Sequence, residues 1–209
     1  MHDFSKLTIS YSLFGSQKKY IDGLHSNLAA ISNVYPQADV VVYTDKPYVF
    51  ETAHNKVLGI SKGLQGAFWR YYEYKHEGDG HVIFRDADSI VTDREAAMVH
   101  DWMDSNAIIH TIHDSAGQTQ CHGRPMMAGM TGIKNGSLPY DFAHLVRWWC
   151  ENKNVTQYRD DEHFLNKFLW PYCRREGLLH SSVVGSKYGG TMVDPPAEPT
   201  NFIGARAYT

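Results

Sequence analysis

Three short runs rich in β-branched and apolar residues, LTISYSLF (7–14), ADVVVYTD (38–45) and GHVIFRDADS (80–89), are separated by stretches whose apolar spacing turns helical. This switching limits the fold more than any other feature of the chain. A run apolar on both pleats is a strand covered on both faces, which a parallel sheet flanked by helices provides. Between the first two runs Ile21, Leu24, Leu28, Ile31 and Val34 recur at helical intervals, and Pro36 closes the segment. Strand, helix, strand in that order implies a right-handed crossover. The expected fold class is α/β, a Rossmann-like three-layer α/β/α sandwich with a mostly parallel central sheet, whose ligands gather at the carboxyl ends of the strands.

The alternation continues along the chain. After an undefined stretch to Ser61, GAFWRYYEY predicts a short aromatic helix, and Thr92 with Glu95 fits a capping box opening a helix through REAAMVHDWM. AIIHTI and MMAGMTGI predict strands on either side of a polar loop at 113–125. LPYDFAHLVRWWC predicts a helix with Pro139 in its first turn, and Asp160 to Trp170 the last clear helix, stopped by Pro171. The tail from Gly185 has no period and is expected to lie over the surface.

With 209 residues, 43% of them apolar, the chain is expected to fold as one domain over 1–209. A net charge of -3 with both signs interspersed weighs against nucleic acid or an anionic membrane as partner. No apolar run approaches the roughly 18 residues of a membrane span, and MHDFSKLTIS has no leader pattern. The expectation is a cytoplasmic protein, or one that works at a membrane surface through a partner protein or oligomer. Cys121, Cys150 and Cys173 lack the spacing of a disulfide framework or zinc site, and twelve histidines include no HExxH.

The chemistry concentrates in HVIFRDADS, an apolar strand that delivers Asp86 and Asp88 into the expected ligand crevice. In extended backbone residues i and i+2 face the same side, so both carboxylates can hold one hard cation, Mn2+ or Mg2+, that also takes diphosphate oxygens. The plain alternative is a pair of acids opening a turn, which Asp favours. Arg85 beside them reads equally as a structural counter-ion. Asp161 and Glu162 open a later helix, where a carboxylate can either cap the helix or serve as a base.

The run FRDADS followed by Arg94 and Glu95 resembles the DxD region of GT-A glycosyltransferases, especially small sugar-transferase-like proteins. Further segments resemble that family in order: a YTD strand end (Tyr43–Asp45), FWR (Phe68–Arg70), MAGMTGIKNG (Met127–Gly136), YRDDEHFL (Tyr158–Leu165) and NFIG (Asn201–Gly204). The resemblance implies the GT-A variant of the α/β fold and a metal-dependent glycosyltransferase. Such an enzyme moves a sugar from a nucleotide-diphosphate donor, a UDP-sugar being favoured, to the hydroxyl of a carbohydrate or glycoconjugate acceptor. It further implies Asp88 as a metal ligand, Asp86 on metal or ribose, and His180 as a third ligand. Tyr43, Thr44 and Asp45 would flank the nucleoside. Tyr11, Arg70, Arg85, Ala87 and Gly129 complete the implied donor-binding set, with Asp161 and Glu162 as catalytic carboxylates. The chain departs from the family pattern at Ala128-Gly129, Thr131 and Arg159, all on the sugar and acceptor side. Three other readings stay open: a catalytically silent nucleotide- or sugar-binding module, a haloacid-dehalogenase-like phosphatase using Asp86 as nucleophile, and a sugar nucleotidyltransferase, against which weighs the lack of a Gly-rich phosphate loop near the first strand, where only Gly15 appears.

Overall fold

The computed structural model describes residues 2–113, 125–181 and 191–193. The elements run β1 (Leu7–Leu13), α1 (Lys18–Val34), β2 (Asp39–Thr44), β3 (His54–Val57), a 3-10 segment (Gly63–Glu73), β4 (His81–Arg85), α2 (Asp93–Asp104), β5 (Ile109–His113) and β6 (Met130–Lys134). They finish with α3 (Phe142–Asn152), α4 (Asp160–Phe168), α5 (Trp170–Glu176), β7 (Gly177–Ser181) and β8 (Thr191–Val193). The eight strands form one sheet in the order β3-β2-β1-β4-β6-β5-β7-β8. Every pairing is parallel except those of β6, which runs antiparallel to both β4 and β5. The architecture is the mostly parallel α/β/α sandwich that the alternating pattern predicts.

The pleat of β4 sorts the two outer layers. Ile83 faces the side covered by α1 and α2, among Ile9, Leu24, Leu28, Ile31, Val99 and Trp102. Val82 and Phe84 face the opposite side, where the 3-10 segment, α3 and α4 supply Phe68, Tyr71, Phe142, Val146 and Phe164. Five successive buried residues in β4 follow from this double cover. Chain order reverses between β1 and β4: β1 leads outward to β2, and the chain returns on the other side of β1 to form β4. A crevice at their carboxyl ends is the usual ligand position in such a sheet.

Several expectations need correcting. GAFWRYYEY lies within a 3-10 segment rather than an α-helix. Pro139 precedes α3, whose cap is Asp141 accepting from the His144 amide at 2.9 Å. Pro171 opens α5 instead of ending the helical region, because proline is tolerated in a first turn that needs no amide donor. Thr92 does cap α2 by accepting from the Glu95 amide at 3.2 Å, but the Glu95 carboxylate turns into the core rather than closing a box. Strands β3, β7 and β8 carry no signal that predicts them. Cys121, the loop after His113, the tail from Gly185 and the NFIG segment lie outside the described residues. No described helix is long and apolar enough to cross a membrane.

Candidate active site

Arg70 organises the crevice. Its backbone is gripped at both ends by β1, where Ser10 Oγ donates to the Arg70 carbonyl and Ser12 Oγ accepts from the Arg70 amide, each at 2.8 Å. Serines two apart on one pleat of an otherwise apolar strand are the sequence signal for this grip. The Arg70 side chain is 4% exposed and its Nη1 donates to the Arg85 carbonyl at 3.1 Å. Nη1 also pairs with the Asp86 carboxylate, and Nη2 lies 2.7 Å from Asp161 Oδ2. One guanidinium, 91 residues before Asp161 in the chain, thus ties the end of β4 to the first turn of α4.

The Asp pair sits in a turn. The Ser89 amide donates to the Asp86 carbonyl at 3.3 Å, so Asp86–Ser89 leaves the sheet instead of continuing it. The extended geometry assumed for i and i+2 therefore ends at Arg85. Asp86 keeps 45% of its side chain exposed beside Arg70. A Cβ on Gly129 would overlap the Asp86 carboxylate, so the glycine leaves the space that the carboxylate uses. From the other side α1 packs close: a Cβ on Gly23 would meet the Ala87 carbonyl at 2.7 Å and the Asp88 Cα at 2.8 Å. Asn27 completes the contact, donating to the Ala87 carbonyl at 3.1 Å and accepting from the Val91 amide at 2.9 Å. A buried amide on the apolar stripe of α1 is the sequence clue to this docking.

Asp161 reaches Arg70, whereas Glu162 is buried beside Arg159, whose Nε lies 4.0 Å away. Asp161 Oδ1 also accepts from the Glu162 amide at 2.9 Å. Burial pushes the Asp161 carboxyl above the usual carboxylate range, and the Arg70 charge opposes that push. Asp160 holds the preceding turn, accepting from the amides of Thr156 and Gln157 at 3.0 and 2.9 Å.

Other expected site residues fall elsewhere. Tyr11 and Arg85 are buried on the α1/α2 side because they occupy the opposite pleat from Ser10, Ser12 and Phe84. Arg85 pairs with Glu95 at 3.0 Å, so it is a core counter-ion and not a donor-binding cation. Tyr43 is buried against Trp69 and Tyr72, with its hydroxyl donating to Glu73 at 2.9 Å, so its side chain packs into the core. Thr44 is buried and accepts from the Lys46 amide at 3.2 Å. Asp45 is half-buried at the end of β2 and accepts from the Gly15 amide at 2.9 Å. Ala87 is buried beneath α1. His180 does not join Asp86 and Asp88. The register of β7 places it with His110 at 2.8 Å and Asp101 of α2 at 3.1 Å. Among the described residues no group of three or more His, Cys, Asp or Glu is placed to hold a metal ion. His113 meets the Pro125 carbonyl at 2.6 Å and His110 is stacked on Trp102.

No family model matches the chain, and no curated protein matches it. Twenty solved chains match. One of them is the 2-C-methyl-D-erythritol 4-phosphate cytidylyltransferase of Thermus thermophilus, to which this chain is similar with 13% identity and a TM-score of 0.49. That alignment covers 98% of this chain and 92% of the other.

Proposed function

We propose that this chain is a metal-dependent glycosyltransferase acting on a nucleotide-diphosphate sugar, with a UDP-sugar as the favoured donor and a carbohydrate or glycoconjugate hydroxyl as acceptor. The observation that carries the reading is the bridge from Asp86 through Arg70 to Asp161, set at the carboxyl end of β4 where the sheet reverses its order. Asp86 and Asp88 are hard oxygen donors suited to Mn2+ or Mg2+. Gly129 makes room for the Asp86 carboxylate, which stays 45% exposed at the crevice, so an ion held there would take its remaining ligands from donor oxygens and water. When bound, the cation supplies charge neutralisation at the departing diphosphate.

The chain's own residues do the rest. Arg70, held by β1 at both ends, orients Asp86 and brings a fixed positive charge to the crevice. Asp161 sits on the side where donor and acceptor meet. Its carboxyl, raised by burial, is a better proton acceptor than an ordinary aspartate. In an inverting transfer it takes the acceptor proton, and in a retaining one it orients the sugar. The turn at Asp86–Ser89, packed beneath α1, keeps the carboxylates at one position during transfer.

The test is calorimetric titration of UDP, GDP, CDP and ADP with Mn2+ and with chelator, repeated on Asp88→Asn. UDP binding that requires Mn2+ and weakens by about tenfold or more in the variant is expected. Wild-type-like binding by Asp88→Asn would refute the metal assignment. The Arg70 guanidinium already pairs with both Asp86 and Asp161, which favours one second reading, a silent binding module that keeps the fold without turnover. Binding of UDP-sugar without hydrolysis or transfer would support that module.

A further inference from the structure

Arg85 lies behind the sheet, buried between β4 and α2, where its Nη2 meets Glu95 Oε2 at 3.0 Å. The same guanidinium donates to two backbone carbonyls, Gly129 at 2.8 Å and Ser89 at 3.3 Å. These carbonyls flank the proposed donor site on either side. Ser89 closes the turn that carries Asp86 and Asp88, and Gly129 is the residue whose missing side chain accommodates the Asp86 carboxylate. Glu95 is anchored in turn by the Tyr35 hydroxyl, which donates to its Oε1 at 2.9 Å.

We infer that the Arg85–Glu95 pair is a positioning device for the Asp86–Ser89 turn. From the protected face of the sheet it fixes how the two aspartates are presented to a divalent cation and nucleoside diphosphate. The functional half of this inference rests on the donor-site reading above. Stability alone is a poor explanation of the pair, because burying two charges costs about as much as their attraction returns and apolar replacement of both is often neutral. The planar guanidinium explains the choice of residue. Its donors lie in one plane and can hold a carboxylate and two carbonyls at once, which a lysine ammonium at the end of a flexible stem cannot. The spacing fits as well: Arg85 ends β4 with its side chain behind the sheet, while Asp86 opens the turn and meets Arg70 in the crevice. A void beside the pair, lined by Ile83, Val99, Ile112 and Met130, offers apolar neighbours to a replacement.

The experiment compares Arg85→Lys and the double variant Arg85→Met/Glu95→Leu with the parent chain. It measures thermal unfolding, amide hydrogen exchange at Ser89 and Met130, and Mn2+-dependent UDP binding. The double variant is expected to unfold about 5–15 °C below the parent, since both charges leave together but the Gly129 and Ser89 carbonyls and the Tyr35 hydroxyl lose their partners. Its Ser89 and Met130 amides are expected to exchange about tenfold faster or more, with the more distant β2 amides unchanged. UDP affinity in the presence of Mn2+ should fall about tenfold or more. Arg85→Lys keeps the charge for folding and should show the same local loss of protection, so a double variant that fails to fold leaves the question decidable. Parent-like exchange at both amides in a folded variant would overturn the positioning role. If the parent chain binds no nucleoside diphosphate, the donor reading fails, and the exchange data still decide whether Arg85 holds the turn.

Discussion

Replacing Arg70 by methionine removes a cation that two carboxylates share, and the exposure of those carboxylates decides which half of the interaction matters. Asp161 is 13% exposed at the side chain and Arg70 only 4%, so breaking that pair strands a buried charge, a change worth about 3–5 kcal/mol. Asp86 is 45% exposed, and water screens its share to about 1 kcal/mol or less. Arg70→Met should therefore lose about 3–5 kcal/mol, a fall in Tm of about 10 °C for a chain of this size. Nearly all of the loss should be coupled to Asp161. Urea unfolding at pH 7.5 of Arg70→Met, Asp161→Leu, Asp86→Ala and the two double variants gives both couplings directly. The Arg70–Asp161 coupling is expected to be about 2 kcal/mol or more and the Arg70–Asp86 coupling about 1 kcal/mol or less. The sign with pH is also set. Without Arg70 the Asp161 carboxyl, already raised by burial, loses the charge that opposed the rise. A group whose folded pKa is raised destabilises as pH climbs above its unfolded value, so the deficit should be largest near neutrality and narrow toward pH 4. Equal couplings, or a larger one for Asp86, would refute the assignment of the energy to burial.

Gly129→Ala should lower unfolding free energy by only about 1–3 kcal/mol, because the overlapping Asp86 carboxylate can swing aside. The same swing should weaken Mn2+-dependent UDP binding about tenfold, and calorimetry showing parent-like affinity would remove the steric argument. Acid should destabilise the chain through its buried imidazoles. Burial holds His81 down at about 4, and it also lowers His110, His113 and His180, in the last case against the pull of Asp101. Their neutral forms stabilise the fold above the ordinary histidine range, and that contribution is lost as pH falls toward the depressed values. His81 alone accounts for about 2 kcal/mol between pH 7.5 and 4.5, so His81→Phe, set against Trp102, should show a correspondingly flatter urea midpoint over that interval. An unchanged pH profile in that variant would rule out a neutral buried His81.

The strands at 7–13, 39–44 and 81–85 were legible because double burial writes an unbroken apolar run, and α1 because its stripe keeps one period to the residue before Tyr35 and Pro36. β3 was not, since His54–Val57 is a mostly exposed edge strand with no apolar pattern to reveal it. The reversed direction of β6 was equally hidden, because strand composition does not encode polarity. At the site, Asp86, Arg70, Gly129 and Asp161 were named from their segments and the structure brings them together. Tyr11, Arg85 and Tyr43 were named from the resemblance, and their side chains turn into the core because a polar residue type does not tell which face of the sheet its side chain meets. His180 failed for a related reason. A lone histidine after a helix gives no hint that a five-residue strand will carry it against α2.

The antiparallel placement of β6 beside β4 has a consequence for the order in which the molecule is made. The pairings β3-β2, β2-β1 and β1-β4 use only residues up to Arg85, so a chain emerging from the ribosome can assemble that half-sheet before Met130 exists. At that stage Arg70 has Asp86 as a partner but must wait 75 further residues beyond Asp86 for Asp161. The nascent half therefore carries a cation only partly compensated. Docking of α4 relieves that imbalance, which joins closure of the crevice around Arg70 to completion of the fold.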